Sequence, residues 1–96
     1  MKIESTKNNG HLEVSLDGRL DTVTAPELEG FLTNQYKDVS ALTIDCKNLT
    51  YISSAGLRVL LSAHKKTKGA LKLTNVGEIV MDVLEMTGFA DILNID

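Results

Sequence analysis

The chain has 96 residues, 43% of them apolar, and a net charge of −3, which suits one folded domain over residues 1–96 and argues against intrinsic disorder. No apolar run approaches the roughly 20 residues that span a bilayer, and no signal-peptide stretch opens the chain, so we expect a cytoplasmic protein without membrane insertion. The modest charge and the 4% aromatic content do not indicate nucleic-acid binding. Cys46 is the only cysteine, and we expect it in the core.

The first third of the sequence predicts a hairpin and then a helix. Residues 2–7 form a weak strand, an Asn-Gly pair is typical of a hairpin turn, and residues 11–17 alternate apolar and polar side chains as a half-buried strand does. Thr24 with Glu27 three residues later has the pattern of a capping box, which predicts that a helix begins there. The apolar spacing carries this helix to about Lys37.

The rest of the chain repeats a strand–helix unit. Apolar spacing predicts a strand over 41–46, a helix over 53–67, a strand over 70–75, a helix over 77–87 and a possible last strand over 92–95. In the last helix we expect Ile79, Val80, Val83 and Leu84 to face inward. Right-handed crossovers would then give an α/β fold, a mixed four- to five-stranded sheet with helices mainly on one face, as a two-layer sandwich.

The junction before the second helix is the most informative segment. There a strand ends, a short loop follows, and the helix begins at the paired serines Ser53 and Ser54. The first N–H groups of a helix lack internal partners and lie at the positive end of its dipole. A phosphate on a serine there adds about 1.5 to 2 negative charges without melting the helix. Alternatively, serine is present simply as a preferred N-cap.

The sequence contains no pattern that predicts catalysis. It lacks the Gly-x-Ser-x-Gly elbow of hydrolases and the Gly-rich loop with Lys-Ser/Thr that binds nucleotide phosphates. Its two histidines, His11 and His64, are not paired at metal-ligand spacing. We therefore expect no enzyme, no cofactor and no metal site.

Two segments resemble the STAS family, the sulfate transporter and anti-sigma factor antagonist domains. Residues 51–61 (YISSAGLRVLL) resemble its core motif, and residues 17–28 (DGRLDTVTAPEL) resemble its second motif ahead of the first helix. The likeness covers essentially the whole chain in order. It implies a STAS-like sandwich and a stand-alone bacterial anti-sigma factor antagonist.

The resemblance also implies how such a protein works. Members of this kind bind an ATPase-fold anti-sigma factor that is a serine kinase, and phosphorylation at the start of the second helix ends that binding. A separate serine phosphatase restores it. Other members act in signalling scaffolds or as non-phosphorylated adaptor subunits of membrane lipid transport complexes, and this alternative stays open.

The resemblance carries over to specific residues. Many members read Asp-Ser-Ser/Thr-Gly-Leu and are modified on the hydroxyl directly before the glycine, where this chain has Ala55. Because the chain matches the Ser-Ser-Ala-Gly-Leu-Arg variant, we predict phosphorylation at Ser54, with Ser53 as second choice and no phosphorylation as the third possibility. The predicted partner-binding residues are Asp21, Thr22, Ser53, Ser54, Ala55, Gly56 and Arg58. From the residues alone, a local turn bond is an alternative role for Asp21, and Arg58 fits a solvated surface equally well.

Overall fold

A computed structural model describes all 96 residues. One sheet contains all five strands in the order β1 to β5: β1 (Lys2–Asn8), β2 (His11–Leu20), β3 (Ala41–Ile52), β4 (Leu71–Thr74) and β5 (Asn94–Ile95). The α-helices are α1 (Ala25–Thr33), α2 (Ser54–Lys66) and α3 (Glu78–Met86), with 3-10 turns at Tyr36–Asp38 and Phe89–Asp91. β1 and β2 are antiparallel, and the other neighbours are parallel. The predicted mixed α/β sheet is confirmed.

Alternating side chains place one face of the sheet in the core. The inward residues of the three central strands are almost fully buried: Leu12, Val14, Leu16, Leu42, Ile44, Cys46, Leu71 and Leu73. They join the apolar faces of the helices in one cluster of 21 buried residues. The opposite face carries polar side chains, including His11, whose Nε2 lies 2.9 Å from Thr43 Oγ1. No helix is both long enough and apolar enough to cross a bilayer.

Strand β3 is longer than the sequence pattern predicted. It was expected to end at Cys46 but continues to Ile52. Its pairing with β2 shifts register at two points, and such bulges interrupt the simple alternation of apolar and polar residues. Leu49 and Ile52 are nevertheless buried. The expected loop is therefore absent, and the strand leads into α2 through Ser53 alone.

The turn before α1 begins at Asp21. Its carboxylate accepts hydrogen bonds from the N–H groups of Val23 (3.0 Å) and Thr24 (3.1 Å), and its carbonyl accepts one from the Ala25 N–H (2.8 Å). Thr24 stands at the N-cap position but makes no side-chain capping bond. The predicted capping box between Thr24 and Glu27 is therefore wrong. The Thr24 hydroxyl instead accepts from the Asp21 N–H (2.8 Å) and donates to the Arg19 carbonyl (2.6 Å), and the Thr24 N–H that Glu27 would have bonded donates to the Asp21 carboxylate.

Helix α1 is also shorter than predicted. It ends at Thr33, whose hydroxyl donates to the Glu29 carbonyl at 2.8 Å, a local bond that competes with the regular helix ladder. The chain then forms a separate 3-10 turn, and Tyr36 packs against the core from there. The predicted helix, which ended near Lys37, therefore combined α1 with this 3-10 turn.

Helix α3 buries one stripe and exposes its neighbour. Val80 and Leu84 are buried, whereas Ile79 is 64% exposed and Met86 is 86% exposed. Successive helical residues are about 100° apart, so Ile79 lies a quarter-turn from Val80. A helix that packs on one side covers only one such stripe. The prediction that Ile79 faces inward is wrong.

Candidate functional site

Parallel pairing brings the two segments that resemble the STAS motifs together at the carboxyl ends of β2 and β3, which we call the site edge of the sheet. The last pair of the β2–β3 ladder joins Leu20 to Ile52, and the Ser53 N–H donates to the Leu20 carbonyl oxygen at 2.9 Å. Asp21 and Ser53 therefore leave adjacent strands at the same point. Helices α1 and α2 both begin at this edge.

Helix α2 starts immediately at the end of the strand. Ser53 is its N-cap with extended backbone angles (φ −106°, ψ 176°), and the first helical bond runs from the Leu57 N–H to the Ser53 carbonyl at 2.9 Å. The N–H groups of residues 54–56 precede that bond. They provide the positive potential that stabilises an anion at a helix start.

The two serines differ in accessibility. Ser54 is exposed as the first residue of α2. Ser53 is half-buried, and its Oγ is shielded from solvent without a hydrogen-bond partner. Ser54 is therefore open to solvent in the folded protein, whereas the Ser53 Oγ is not.

Gly56 lies beneath the site. A Cβ at this position would lie 2.7 Å from Leu20 Cγ, 2.9 Å from the Leu20 carbonyl oxygen and 3.0 Å from Ile52 Cγ1. Glycine allows the first turn of α2 to approach the ends of β2 and β3 this closely. Because Gly56 is buried, it supports the site from below, and contact of Gly56 with a partner stays a prediction.

The Asp21 carboxylate is largely used within its own turn. The hydrogen bond from the Thr24 N–H is the main cause that lowers its pKa, and the Val23 N–H and the nearby Arg19 guanidinium add to the effect. Arg19 Nε lies 3.6 Å from Asp21 Oδ2, and 27% of the Asp21 side chain is exposed. This geometry fits the local turn role, and contact of Asp21 with a partner stays a prediction.

A shallow groove crosses the surface beside Ser54. Its volume is about 230 Å³, and its lining includes three of the predicted residues, Thr22, Ala55 and Arg58, together with Pro26 and Glu29. The groove therefore spans the starts of α1 and α2.

Nowhere in the structure do three or more His, Cys, Asp or Glu side chains converge as metal ligands.

Sequence reasoning missed two features of this edge. The first is Val23, which is 83% exposed in the turn that Asp21 organises. In the sequence, only the presence of an apolar residue among polar turn residues could have indicated this exposure. The Arg19 guanidinium lies 4.3 Å from the centroid of the Tyr51 ring. The strand register pairs these two residues, so this contact required knowledge of the bulges in β3.

Comparison with known proteins agrees with this architecture. A family model of the STAS domain matches residues 2–96. The anti-sigma-B factor antagonist of Bacillus subtilis (strain 168) is 30% identical over 98 residues, which cover 99% of this chain and 90% of that protein. An anti-sigma factor antagonist from Mycobacterium paratuberculosis superposes with a TM-score of 0.86 at 25% identity, over 98% of this chain and 83% of that one. The Bacillus cell fate determinant SpoIIAA in its phosphorylated form shares the fold, with a TM-score of 0.76 at 13% identity over 99% and 91% of the two chains.

Proposed function

Because the chain belongs to the STAS domain family, we propose that it is an anti-sigma factor antagonist in a partner-switching circuit. It binds an ATPase-fold anti-sigma factor, itself a serine kinase, through the surface around Ser54. Phosphorylation of Ser54 ends that binding, and a serine phosphatase restores it. The observation that carries this proposal is the exposed Ser54 at the start of α2, on the edge where both family motifs meet.

The fold tolerates a phosphate at this position. The modified side chain remains in solvent at the positive end of the α2 dipole, where a dianion is neutral or stabilising. Arg58 is exposed four residues later, and residues i and i+4 share a helix face. A phosphate on Ser54 therefore lies within reach of the Arg58 guanidinium, with which it can form charge-assisted hydrogen bonds.

The same modification changes the surface that a partner meets. It places about 1.5 to 2 negative charges where an exposed hydroxyl stood, and pairing with Arg58 withdraws that guanidinium from the groove it shares with Thr22 and Ala55. The partner group that Arg58 would otherwise meet is then left unpaired in the interface, which costs about 2–5 kcal/mol. That cost corresponds to roughly 30- to several-thousand-fold weaker binding.

Phosphate mapping tests the assignment of the site. The purified chain is incubated with the candidate kinase and ATP, and the modified peptide is identified by mass spectrometry. Ser54→Ala should abolish incorporation, whereas the matched neighbour Ser53→Ala should retain it, with thermal unfolding as the check that both variants fold. Undiminished incorporation in Ser54→Ala would move the site to Ser53. A chain that is never modified, and that captures a transporter ATPase rather than a histidine-kinase-like ATPase from the native cell, would support the adaptor alternative.

A further inference from the structure

Helix α3 presents an apolar stripe whose two ends the rest of the chain leaves exposed, while its middle residue, Val83, packs partly against the core. Ile79, Val83 and Met86 follow one another at i, i+4 and i+7, a spacing that places them on one face over about two turns, roughly 10 Å. Ile79 is 64% and Met86 is 86% exposed, and Val83 between them is half-buried. These three residues are called the α3 stripe below.

An acidic row runs parallel to the α3 stripe. Glu78, Asp82 and Glu85 have the same spacing one residue earlier, and all three are exposed. None of them forms an ion pair within the chain, where the ion pairs are Lys2–Glu4, Arg19–Asp21 and Lys72–Asp96. Their charges are therefore free to attract a cationic partner.

The charge of the whole chain divides at the start of this region. All ten Lys and Arg residues lie before Asn75, where eight acidic residues leave a net charge of +2. The remaining residues, from Asn75 to Asp96, contain five acidic side chains and no Lys, Arg or His, a net charge of −5. The overall value of −3 conceals this contrast.

A groove adjoins the N-terminal end of the α3 stripe. It has a volume of about 320 Å³ and lies between residues 77–80 and the β3 residues Leu49 and Thr50. It shares no lining residue with the groove beside Ser54. An apolar side chain of a bound segment can enter it next to Ile79.

We propose that the α3 stripe and its acidic row form a docking surface for a cationic amphipathic helix of a partner protein. Apolar side chains of that helix cover the stripe, and its Lys or Arg side chains pair with the parallel carboxylates. A second copy of this chain fits poorly, because two α3 surfaces would bring acidic rows together. Since the groove at the α3 stripe shares no lining residue with the groove beside Ser54, we expect a partner held there to stay bound in both phosphorylation states.

The size of the α3 surface limits the affinity that we expect for its partner. A stable interface of ordinary size buries about 800 Å² on each partner, and two helical turns offer less than that. The interaction should be transient and should weaken as salt screens the carboxylates.

A designed peptide tests the proposal on the full chain. The probe is a fluorescent synthetic helix of Leu and Lys with one apolar face, titrated by anisotropy at low and high salt. Binding should weaken with salt, and Ile79→Ser or Met86→Ser should reduce affinity by about fivefold or more. Val23→Ser is the matched control, because Val23 is 83% exposed, close to the 86% of Met86, and lies in the turn before α1. This variant should leave affinity unchanged. Glu85→Gln should reduce both the affinity and its salt dependence.

Three outcomes would overturn the proposal. The first is equal binding of a peptide with the same composition but a permuted order, which would indicate charge attraction alone. The second is a loss of affinity in Val23→Ser as large as that in Met86→Ser. The third is self-association in sedimentation that Met86→Ser abolishes, which would make a second copy of the chain the occupant.

Discussion

The Ser53 N–H donates a hydrogen bond of 2.9 Å to the carbonyl oxygen of Leu20. This bond joins the ends of two parallel strands, so the turn organised by Asp21 and the helix that begins at Ser54 leave the sheet side by side. Two segments far apart in sequence thus form one surface. The residues beneath this surface determine its shape, and they can be tested separately from binding.

Gly56→Ala should destabilise the fold. The added methyl group would meet Leu20 and Ile52 at 3.0 Å or less, and overpacking of this kind typically costs about 1–3 kcal/mol. Gly30→Ala is the matched control, since a Cβ on this helical glycine has no neighbour within 4 Å and should stabilise α1 by up to about 1 kcal/mol. Urea unfolding measures both changes. Equal stability of the two variants would contradict the packing described for Gly56.

Asp21→Ala should lower stability in a pH-dependent way. Hydrogen bonds from its turn hold the pKa of Asp21 below the ordinary value of 3.8. A carboxyl with a lowered folded-state pKa stabilises the fold above its unfolded pKa, and this contribution disappears as pH falls through the folded value. The difference in free energy of unfolding between the wild-type chain and Asp21→Ala should therefore be largest near neutral pH and should shrink in strong acid. Asp21→Asn keeps an acceptor oxygen and should lose less; urea unfolding across this pH range would contradict the account if this difference were constant.

The Cys46 thiol should be unreactive in the folded protein. Burial, with a smaller effect from the neighbouring Asp45 carboxylate, raises the pKa of Cys46 to about 12, and the side chain is 2% exposed. The thiolate is the reactive form, so a thiol reagent at mildly alkaline pH should label the native chain far more slowly than the urea-unfolded chain. Equal labelling rates would show that the core opens at β3.

Arg58→Glu should weaken binding to the anti-sigma factor without changing the fold. Arg58 lines the groove beside Ser54, and reversing a charge at an interface slows association and alters its salt dependence. Lys37→Glu is the matched control, because Lys37 is also exposed but lies beyond the far end of α1. Surface plasmon resonance at two salt concentrations separates the variants. Identical association rates for both would exclude Arg58 from the contact surface.

Periodicity predicted most of the fold and part of the site. The period-two pattern located the first four strands and correctly placed Cys46 in the core, and the Ser-Ser-Ala-Gly segment located the start of α2. The pattern failed at β3, because bulges shift the register there and break the alternation by which a strand is detected. It failed at Ile79, because an apolar residue on a helix indicates a buried face only if a neighbouring element covers it.

Two properties of the site depend on tertiary contacts. The sequence favours Ser54 over Ser53 only through its resemblance to a family motif, and the difference in exposure between the two hydroxyls is visible only in the folded chain. The role of Gly56 depends on the distance to Leu20, a residue of another strand. Thr24 was assigned a capping bond because Glu27 follows it, but its hydroxyl bonds Asp21 and Arg19 in the turn that precedes the helix.

The switch itself is tested most directly by comparing the unmodified chain with the chain phosphorylated on Ser54. Calorimetry measures the affinity of each form for the anti-sigma factor, and thermal unfolding of the same samples reports the fold. Phosphorylation should weaken binding by roughly 30-fold or more, and the unfolding temperature of the modified chain should equal or exceed that of the unmodified chain. Equal affinity of the two forms, or a loss of binding that accompanies unfolding, would contradict this prediction.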